Sequence, residues 1–251
     1  MRILKVLGIL DWGIGGVSIY KAIKASLDVS VIYFSDTGVT PYGKMTRGEL
    51  VSRLDAVIGH LKDQGVTHLA IGCNAASTAI DLLETQGVKI EGMISSGVEA
   101  AMNENPSQLG LIGGRRTVLS GVYRRRFREK GIKVEQRIAQ PLSGMIENGD
   151  VGSENLRAEA RHILAPIRNC SHILLACTHY PAIASVLKET VSSETQFIDP
   201  SFELVRRIKK WKLPLGGKDI FLTSGDPAKM KKAAFNAFSV VIANAERIKV
   251  R

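Results

Sequence analysis

Short apolar runs alternate along the chain with longer segments in which apolar residues recur at helical spacing. Apolar runs of this length, bounded by polar residues, glycine or proline, are typical of buried strands in a parallel sheet. Strands and helices that alternate in this way predict a doubly wound α/β fold. In that fold the loops after the carboxyl ends of the strands face the ligand crevice, so polar residues in those loops are the first candidates for chemistry.

The first half of the chain follows this alternation from its start. We predict strands over Ile3–Leu10, over Val31–Phe34, over the run that ends in Cys73, and over Val88–Ile94. We predict helices over Val17–Leu27, over Thr46–Asp63 and, in a shorter form, over Val98–Asn105. Residues 36–43 after the second strand form a polar loop rich in turn-forming residues, a kind of segment that commonly binds ligands.

The second half begins the same order again. We predict strands from Gln108, over Val134–Ile138 and over the run that ends in Cys177, with helices over Val118–Lys130 and Glu154–Arg168. The remaining elements are a basic amphipathic helix over Phe202–Trp211, a Gly-Gly linker, a strand over Asp219–Thr223 and a helix from Asp226 to about Ala245. We expect this last strand and helix to return to the first domain.

Two segments of the chain match each other. His68-Leu-Ala-Ile-Gly-Cys-Asn74 aligns with His172-Ile-Leu-Leu-Ala-Cys-Thr178 at an offset of 104 residues, and residues 108–114 resemble residues 6–12 at an offset of 102. This repeat predicts two similar doubly wound parallel-sheet domains that arose by internal duplication, with the active site in the cleft between them. We predict that residues 1–98 together with about 212–251 form the first α/β domain, and residues 99–211 the second.

Composition narrows the class of protein. At 251 residues, with 45% hydrophobic and 23% charged residues, the chain can bury the core of one large or two modest domains. No apolar run approaches the ~20 residues of a membrane span, so we expect a cytoplasmic protein that does not use a membrane. Three cysteines without short regular spacing predict neither a disulfide framework nor a metal site. Of these, Cys170 lacks polar residues after it and is interpreted as core packing.

The net charge of +10 is densest between Arg115 and Lys133. At helical spacing these basic residues spread around a helix instead of forming one stripe. No nucleic-acid-binding motif accompanies them, which argues against nucleic acid as a partner. We favour a solvated helix face, and an anionic partner surface is the alternative. The sequence also leaves open a homodimer.

The glycine-rich segment Asp11-Trp-Gly-Ile-Gly-Gly16 follows the first predicted strand. It lacks the third glycine of a dinucleotide-binding fingerprint at the required spacing. We therefore interpret these glycines as allowing a tight turn from strand to helix, in preference to binding a nucleotide.

Each of the two matched strands ends in a thiol, Cys73 in one and Cys177 in the other. Removing the proton α to an amino acid's carboxylate without a cofactor needs a base on one face of the carbon and a proton donor on the other, both shielded from water. The ordinary pKa of cysteine is about 8.5, so a nearby carboxylate or imidazole can move its proton in and out. Asp11 is the candidate helper of Cys73, and His179 and Glu147 are the candidate helpers of Cys177.

Six segments together resemble the glutamate racemases of the aspartate/glutamate racemase superfamily. They are Asp11 with Gly13-Ile-Gly-Gly16, Tyr33-Phe-Ser-Asp-Thr37, Pro41-Tyr-Gly43, Cys73-Asn74, Gly110-Leu-Ile-Gly113 and Cys177-Thr-His-Tyr-Pro181. The resemblance extends over essentially the whole chain. It implies two α/β domains that face each other, interconversion of L- and D-glutamate by two cysteines, and supply of D-glutamate for peptidoglycan.

The resemblance also implies roles for individual residues. The catalytic set that it implies is Cys73, Cys177, Asp11, Glu147 and His179. The substrate-binding set that it implies is Trp12, Pro41, Tyr42, Gly43, Asn74, Ala75, Thr117 and Thr178. It implies an amino acid as the substrate and neither a metal nor a cofactor. No lysine here follows a strand end in the polar setting that pyridoxal phosphate requires.

Three pocket positions depart from the family pattern. Trp12 stands where the family usually has serine, and Ala75 and Gly114 stand where it usually has threonine. The indole N–H of Trp12 and the side chains of Arg115 and Arg116 are candidates to compensate for the lost hydroxyls. The alternatives are a racemase-like enzyme for a different amino acid or acid, and a catalytically weak binding or regulatory protein. Retention of both cysteines argues against the second.

Overall fold

The structure, a computed structural model, describes residues 5–250. Ile3 and Leu4, at the start of the first predicted strand, lie outside the described residues. The chain forms two parallel sheets, one of six strands and one of four, with helices between successive strands. This architecture confirms the predicted doubly wound α/β class. No helix within the described residues is both long and apolar enough to cross a membrane.

The first half contributes four strands to the larger sheet. Its elements are β1 (Leu7–Asp11), α1 (Val17–Lys24), β2 (Val31–Ser35), α2 (Arg47–Asp63), β3 (His68–Ile71), α3 (Asn74–Ser77), a 3-10 turn (Ile80–Leu82), β4 (Lys89–Gly92) and α4 (Met93–Glu104). Every residue of β1 and β2 is buried, because helices cover both faces of the sheet. This burial explains why these strands appear in the sequence as unbroken apolar runs.

The second half forms the smaller sheet. Its elements are β5 (Leu109–Gly113), α5 (Arg115–Leu119), α6 (Val122–Arg128), β6 (Val134–Ile138), α7 (Gln140–Glu147), α8 (Glu154–Leu164), a 3-10 turn (Ala165–Ile167), β7 (His172–Ala176), a 3-10 turn (Tyr180–Ile183), α9 (Ala184–Lys188), β8 (Gln196–Ile198) and α10 (Pro200–Lys209). The strand order is β6-β5-β7-β8, which matches the order β2-β1-β3-β4 of the first half. Matching order in two parallel sheets supports the inferred duplication.

The C-terminal segment extends the larger sheet. Its elements are β9 (Ile220–Thr223), α11 (Pro227–Phe238) and β10 (Glu246–Arg247). Strand β9 pairs in parallel with β2, and β10 pairs with β9. The chain thus returns to the sheet of the first half. The domain boundaries near residues 98 and 212 stay a prediction.

An apolar core joins the two halves. One cluster of buried side chains includes residues of both sheets, for example Ile9 of β1 and Leu175 of β7. Helix α10 packs against both α1 and α4. On this side Arg207 hydrogen-bonds the carboxylates of Glu91 and Glu99. The halves are therefore held together along one side, and a cleft is left at the carboxyl ends of their strands.

One predicted helix is wrong, because the segment Val118–Lys130 is not a single helix. Gly121 adopts a φ of +67°, in the left-handed region that favours glycine, and it separates α5 from α6. Helical periodicity continues across the break, which is why the apolar pattern alone did not reveal it.

Two further boundaries also differ from the predictions. The strand predicted over Val88–Ile94 ends at Gly92, and the next helix begins at Met93, five residues before the predicted start at Val98. An apolar run of this length does not mark where a buried strand becomes a buried helix. The final helix ends at Phe238, well before Ala245, because Ser239 adopts a left-handed φ of +56° at its C-cap. The short strand β10 was not predicted.

Candidate active site

A cavity of about 410 Å³ lies between the two halves at the carboxyl ends of the strands. It is lined by every predicted site residue except Glu147: Asp11, Trp12, Pro41, Tyr42, Gly43, Cys73, Asn74, Ala75, Thr117, Cys177, Thr178 and His179. Gly114 lines it as well. The residues come from loops after β1, β2, β3, β5 and β7, which is where this fold positions ligands.

On one side of the cavity Cys73 lies beside Asp11. Cys73 precedes α3, and Asp11 is the last residue of β1, which pairs with β3. One oxygen of Asp11 accepts a hydrogen bond from the backbone N–H of Trp12 at 2.7 Å, and the other accepts one from the Thr178 hydroxyl at 2.9 Å. A residue of the second half thus helps to orient the carboxylate beside the thiol of the first.

Burial sets the protonation of this pair. It raises the pKa of Asp11, although the charge of His179 and the hydrogen bonds of the carboxylate act in the opposite direction. Burial also raises the pKa of Cys73 well above its ordinary range, and the negative charge of Asp11 adds to that effect. Near neutral pH Cys73 is therefore a protonated thiol, the form that can donate a proton.

On the opposite side Cys177 lies beside a histidine. Nδ1 of His179 is 3.6 Å from Sγ of Cys177, and Nε2 of the same ring is 2.6 Å from Oε2 of Glu147. The same oxygen of Glu147 accepts the backbone N–H of Ile14 at 3.0 Å. Glu147 does not line the cavity, so its position behind the ring makes it a partner of His179.

The surroundings of His179 favour its cationic form. Burial alone lowers the pKa of the imidazole, but hydrogen bonds to Cys177 and Glu147 and the charges of both residues raise it well above its ordinary range. A cation next to Cys177 provides an opposite charge to a thiolate as one forms. The two thiols therefore have different electrostatic surroundings.

The glycine-rich turn after β1 packs closely against side chains of the second half. A Cβ atom at Gly13 would lie 2.2 Å from Oε2 of Glu147. A Cβ atom at Gly15 would lie 2.4 Å from the Thr178 hydroxyl oxygen and 2.7 Å from Nδ1 of His179. Neither glycine has a positive φ, so close approach of the second half, and not backbone conformation, requires glycine here. The interpretation that these glycines serve only a tight turn is thus incomplete.

Polar side chains at the inner end of the cavity are suited to a carboxylate and an amine. Oδ1 of Asn74 accepts a hydrogen bond from the Tyr123 hydroxyl at 2.8 Å, while its Nδ2 is buried without a partner among the described residues. A buried amide donor without a partner is costly unless a ligand accepts from it. The Thr178 hydroxyl donates to Asp11, so its oxygen remains available as an acceptor.

The loop after β2 forms another wall of the cavity, and Tyr42 is held at both ends. Its hydroxyl donates to Asp36 at 2.7 Å, so this hydroxyl is not available to donate to a ligand. Arg53 pairs with the other oxygen of Asp36 at 2.7 Å. From the second half, Arg116 donates to the backbone oxygens of Tyr42 at 3.1 Å and Met45 at 2.8 Å. The guanidinium of Arg116 therefore fixes the loop across the cleft.

The compensation expected for the missing hydroxyls is not present as predicted. The indole N–H of Trp12 donates to the backbone oxygen of Val39 at 3.1 Å, so it does not replace the hydroxyl of a serine. Arg116 is bound to the loop after β2. Arg115 is exposed and does not line the cavity.

Sequence reasoning missed several lining residues, namely Lys44, Gln140, Pro141, Ser143, Gly144 and Ala176. Four of them lie at the start of α7, after the carboxyl end of β6. The duplication was the available signal. Strand β6 matches β2, and the loop after β2 is a predicted binding loop, so the duplication predicts that the segment after β6 forms the equivalent wall.

Within residues 5–250 no group of three or more His, Cys, Asp and Glu side chains is arranged to hold a metal ion. The free cysteines are Cys73 and Cys177 at the cavity and Cys170, which is buried elsewhere.

This chain is similar to known proteins in sequence and in structure. The profile of the family described as Asp/Glu/Hydantoin racemase matches residues 7–208. A glutamate racemase of Bacillus cereus is 29% identical over 265 aligned positions, covering 99% of this chain and 98% of that protein. A glutamate racemase of Limosilactobacillus reuteri is 31% identical over 212 positions, covering 81% of this chain and 79% of that one. The crystal structure of glutamate racemase from Francisella tularensis in complex with D-glutamate has the same fold, with a TM-score of 0.88, 24% identity and 98% coverage of both chains.

Proposed function

The chain belongs to the Asp/Glu/Hydantoin racemase family, and on that premise we propose that it interconverts L- and D-glutamate by moving the α-proton between the thiols of Cys73 and Cys177. The family makes it an isomerase of the amino-acid racemase type. The observation that carries the proposal is the pair of thiols, which follow matching strands of two sheets and line one cavity.

The reaction has two proton transfers. The thiolate of one cysteine removes the α-proton from one face of the substrate, and the electron pair is delocalised into the carboxylate. The thiol of the other cysteine then donates its proton to the opposite face, which inverts the configuration. At the end the two cysteines have exchanged protonation states, and the enzyme is ready for the reverse substrate.

The surroundings of the two thiols support one assignment of which cysteine donates a proton and which removes one. Cys73 is held as a thiol by burial and by Asp11, so it is suited to donate first. Nδ1 of His179 lies 3.6 Å from Sγ of Cys177, so this ring is placed to exchange a proton with that sulfur. In this state the proton is removed at Cys177 and supplied by Cys73. After turnover Asp11 and His179 are the groups that can restore the original protonation.

The substrate's charged groups have partners at the inner end of the cavity. The unpartnered Nδ2 of Asn74 is suited to donate to the α-carboxylate. The hydroxyl oxygen of Thr178 is suited to accept from the ammonium. Thr117 is buried and lines the same end, where its hydroxyl can contact the carboxylate. These contacts would keep the α-carbon between the two sulfur atoms, as proton transfer requires.

A racemase for a different amino acid is the second candidate. Trp12, Ala75 and Gly114 give three lining positions no side-chain hydroxyl, and the indole N–H of Trp12 is already bonded within the protein. This candidate keeps the two-thiol chemistry and changes only the group recognised by the rest of the cavity.

Exchange of the α-hydrogen with solvent tests the proposal. Each member of a panel of L- and D-amino acids is incubated with the protein in heavy water, and loss of the α-proton signal is followed by NMR. We expect exchange and racemisation of glutamate, or of another acid if the second candidate is right. A protein that binds the amino acids without exchanging the hydrogen of any of them would be a binding protein, and the proposal would fail.

We further propose that the product serves peptidoglycan synthesis and that the reaction takes place in the cytoplasm, where free thiols stay reduced. Growth of a bacterial strain that requires external D-glutamate tests the biological role. Expression of this chain should remove the requirement, whereas a variant that lacks Cys73 should not. No pyridoxal phosphate should be needed, so hydroxylamine treatment should leave the activity intact.

A further inference from the structure

Gln140 lines the mouth of the cavity, at the first position of α7. It is exposed, as are Lys44, Pro141 and Gly144 around it, whereas Asn74 and Thr178 at the inner end are buried. The inner end of the cavity, where the half-buried thiols lie, is therefore less exposed to solvent than the mouth.

Two bonds orient the carboxamide of Gln140. Its Oε1 accepts the backbone N–H of Arg115 at 3.1 Å, and its Nε2 donates to the hydroxyl oxygen of Ser143 at 2.9 Å. The Ser143 hydroxyl itself donates to the backbone oxygen of Gln140 at 2.8 Å, so Ser143 can only accept from the amide. One N–H of the amide and one lone pair of its oxygen remain available to a ligand.

The Gln140 carboxamide lies next to a glycine on each wall of the cavity, Gly114 of the second half and Gly43 of the first. Gly114 is the N-cap residue of α5 and provides no side-chain cap, so the N–H of Arg115 bonds to Gln140 instead. A Cβ atom at Gly114 would lie 3.1 Å from Oε1 of Gln140, and one at Gly43, in the other half, would lie 3.4 Å from it. A polar side chain at position 114 and the carboxamide of Gln140 would therefore compete for one volume.

The chemistry of the inner end determines which part of the substrate reaches Gln140. The α-carbon must lie between Cys73 and Cys177, and the buried Asn74 and Thr178 are next to them. The group that extends toward the mouth is then the substrate's side chain. Given the proposed racemase function, we infer that the Gln140 carboxamide replaces the side chain missing at Gly114 and binds the polar end of the substrate's side chain, a carboxylate in the case of glutamate.

A double-mutant cycle tests this inference. The four proteins are the wild type, Gln140→Ala, Gly114→Ser and the double variant, assayed for racemisation of glutamate and for thermal unfolding. Serine is chosen because its hydroxyl can both cap α5 and line the cavity. Gln196→Ala changes an exposed glutamine on the edge strand β8 and is the matched control. It should leave kcat and KM for glutamate unchanged.

We expect Gln140→Ala to raise KM for glutamate about tenfold or more with little change in kcat, because a contact to the distal group acts equally in the ground state and the transition state. Gly114→Ser alone should also lower kcat/KM, because the serine displaces the carboxamide. The double variant should recover most of the loss. Additive losses in the cycle would overturn the inference, as would a lower Tm for Gln140→Ala with unchanged kinetic constants, the result for a residue that only caps α5.

Gln140→Glu keeps the size of the side chain and serves as the second variant. Its negative charge should raise KM for glutamate more than KM for glutamine, and an equal effect on both substrates would contradict a contact to the side-chain end. If the wild type exchanges the α-hydrogen of no amino acid, the proposed function fails. If the wild type is active and the cycle is additive, only this inference fails.

Discussion

The surroundings of Cys73 and Cys177 are the two regions of this protein that are most usefully compared. The two cysteines follow equivalent strands, β3 and β7, of the two matching sheets. One has a carboxylate beside it and the other an imidazole. The carboxylate of Asp11 opposes a negative charge on Cys73, whereas the cation on His179 favours one on Cys177. Duplication of the fold thus produced matched thiols with unlike neighbours, a carboxylate beside one and an imidazole beside the other.

Each helper is in turn fixed by the opposite half. Asp11 belongs to the first half and accepts from Thr178 of the second. Glu147 belongs to the second half and accepts from the backbone of Ile14 in the first. The geometry around the two thiols therefore depends on the fit between the halves as much as on either one.

The largest effect is expected when either thiol is removed. Cys73→Ser and Cys177→Ser should each lower kcat by roughly 10³-fold or more, because a serine hydroxyl is too weak an acid to carry the proton. The loss is measured in a racemisation assay that is monitored by circular dichroism. Cys170→Ser is the control and should keep most of the activity, since Cys170 lies away from the cavity. Near-normal turnover in either active-site variant would rule out the two-thiol reaction.

The next effect comes from disturbing the fit between the halves. Gly15→Ala should lower kcat/KM about 100-fold, because its methyl group would meet Thr178 and His179 and push them out of position. Gly48→Ala is the matched control, since an added Cβ there has no atom within 4 Å and alanine favours a helix. Equal activity of the two variants would show that the turn tolerates a side chain and that the close approach is not required.

A smaller effect is expected when only the partner of His179 changes. Glu147→Gln should lower kcat about tenfold and move the alkaline limb of the pH–rate profile to lower pH, because the pKa of His179 falls when the negative charge is lost. The free energy of unfolding should show a related pH dependence. Because the pKa of His179 is higher in the folded than in the unfolded protein, protonation of this ring stabilises the fold. This stabilisation is fully present below the unfolded pKa of about 6.5 and is lost as the pH rises through the folded pKa.

Urea unfolding between pH 6 and pH 10 therefore serves as a second measurement for Glu147→Gln. The variant should lose its His179-dependent stability at lower pH than the wild type does. Glu129→Gln, which changes an exposed carboxylate outside the cavity, is the control for charge alone. An unshifted alkaline limb would mean that Glu147 does not act through His179.

The smallest effect concerns the pocket wall of the first half. Trp12→Ser combined with Ala75→Thr should raise kcat/KM for glutamate several-fold, because two hydroxyls return to the wall of the cavity. Ala75→Thr alone separates the gain from the loss of the Trp12 bond to Val39. Our interpretation of these positions as lost contacts would be wrong if the wild type already reaches ~10⁴ M⁻¹s⁻¹ and the double variant lowers it.

Much of the fold could be predicted because strands and helices leave local patterns. The apolar runs before Cys73 and Cys177 are buried strands, and the polar residues after them lie in the cavity. Parallel strands align their carboxyl ends, so these two facts and the repeat were enough to predict one site between two similar halves. The helix break at Gly121 was not predictable in this way, because it depends on a single backbone conformation.

The fold class, the duplication and the two thiols were predictable, because local apolar patterns and a repeated motif reveal them in the sequence. Three features required the folded structure: Glu147 hydrogen-bonds His179 from behind, a Cβ at Gly13 or Gly15 would meet the second half, and the Trp12 indole is bonded to Val39. It also brought Gln140 to the cavity mouth. These are contacts between residues far apart in sequence, and local hydrophobic periodicity carries no information about which distant side chains will meet.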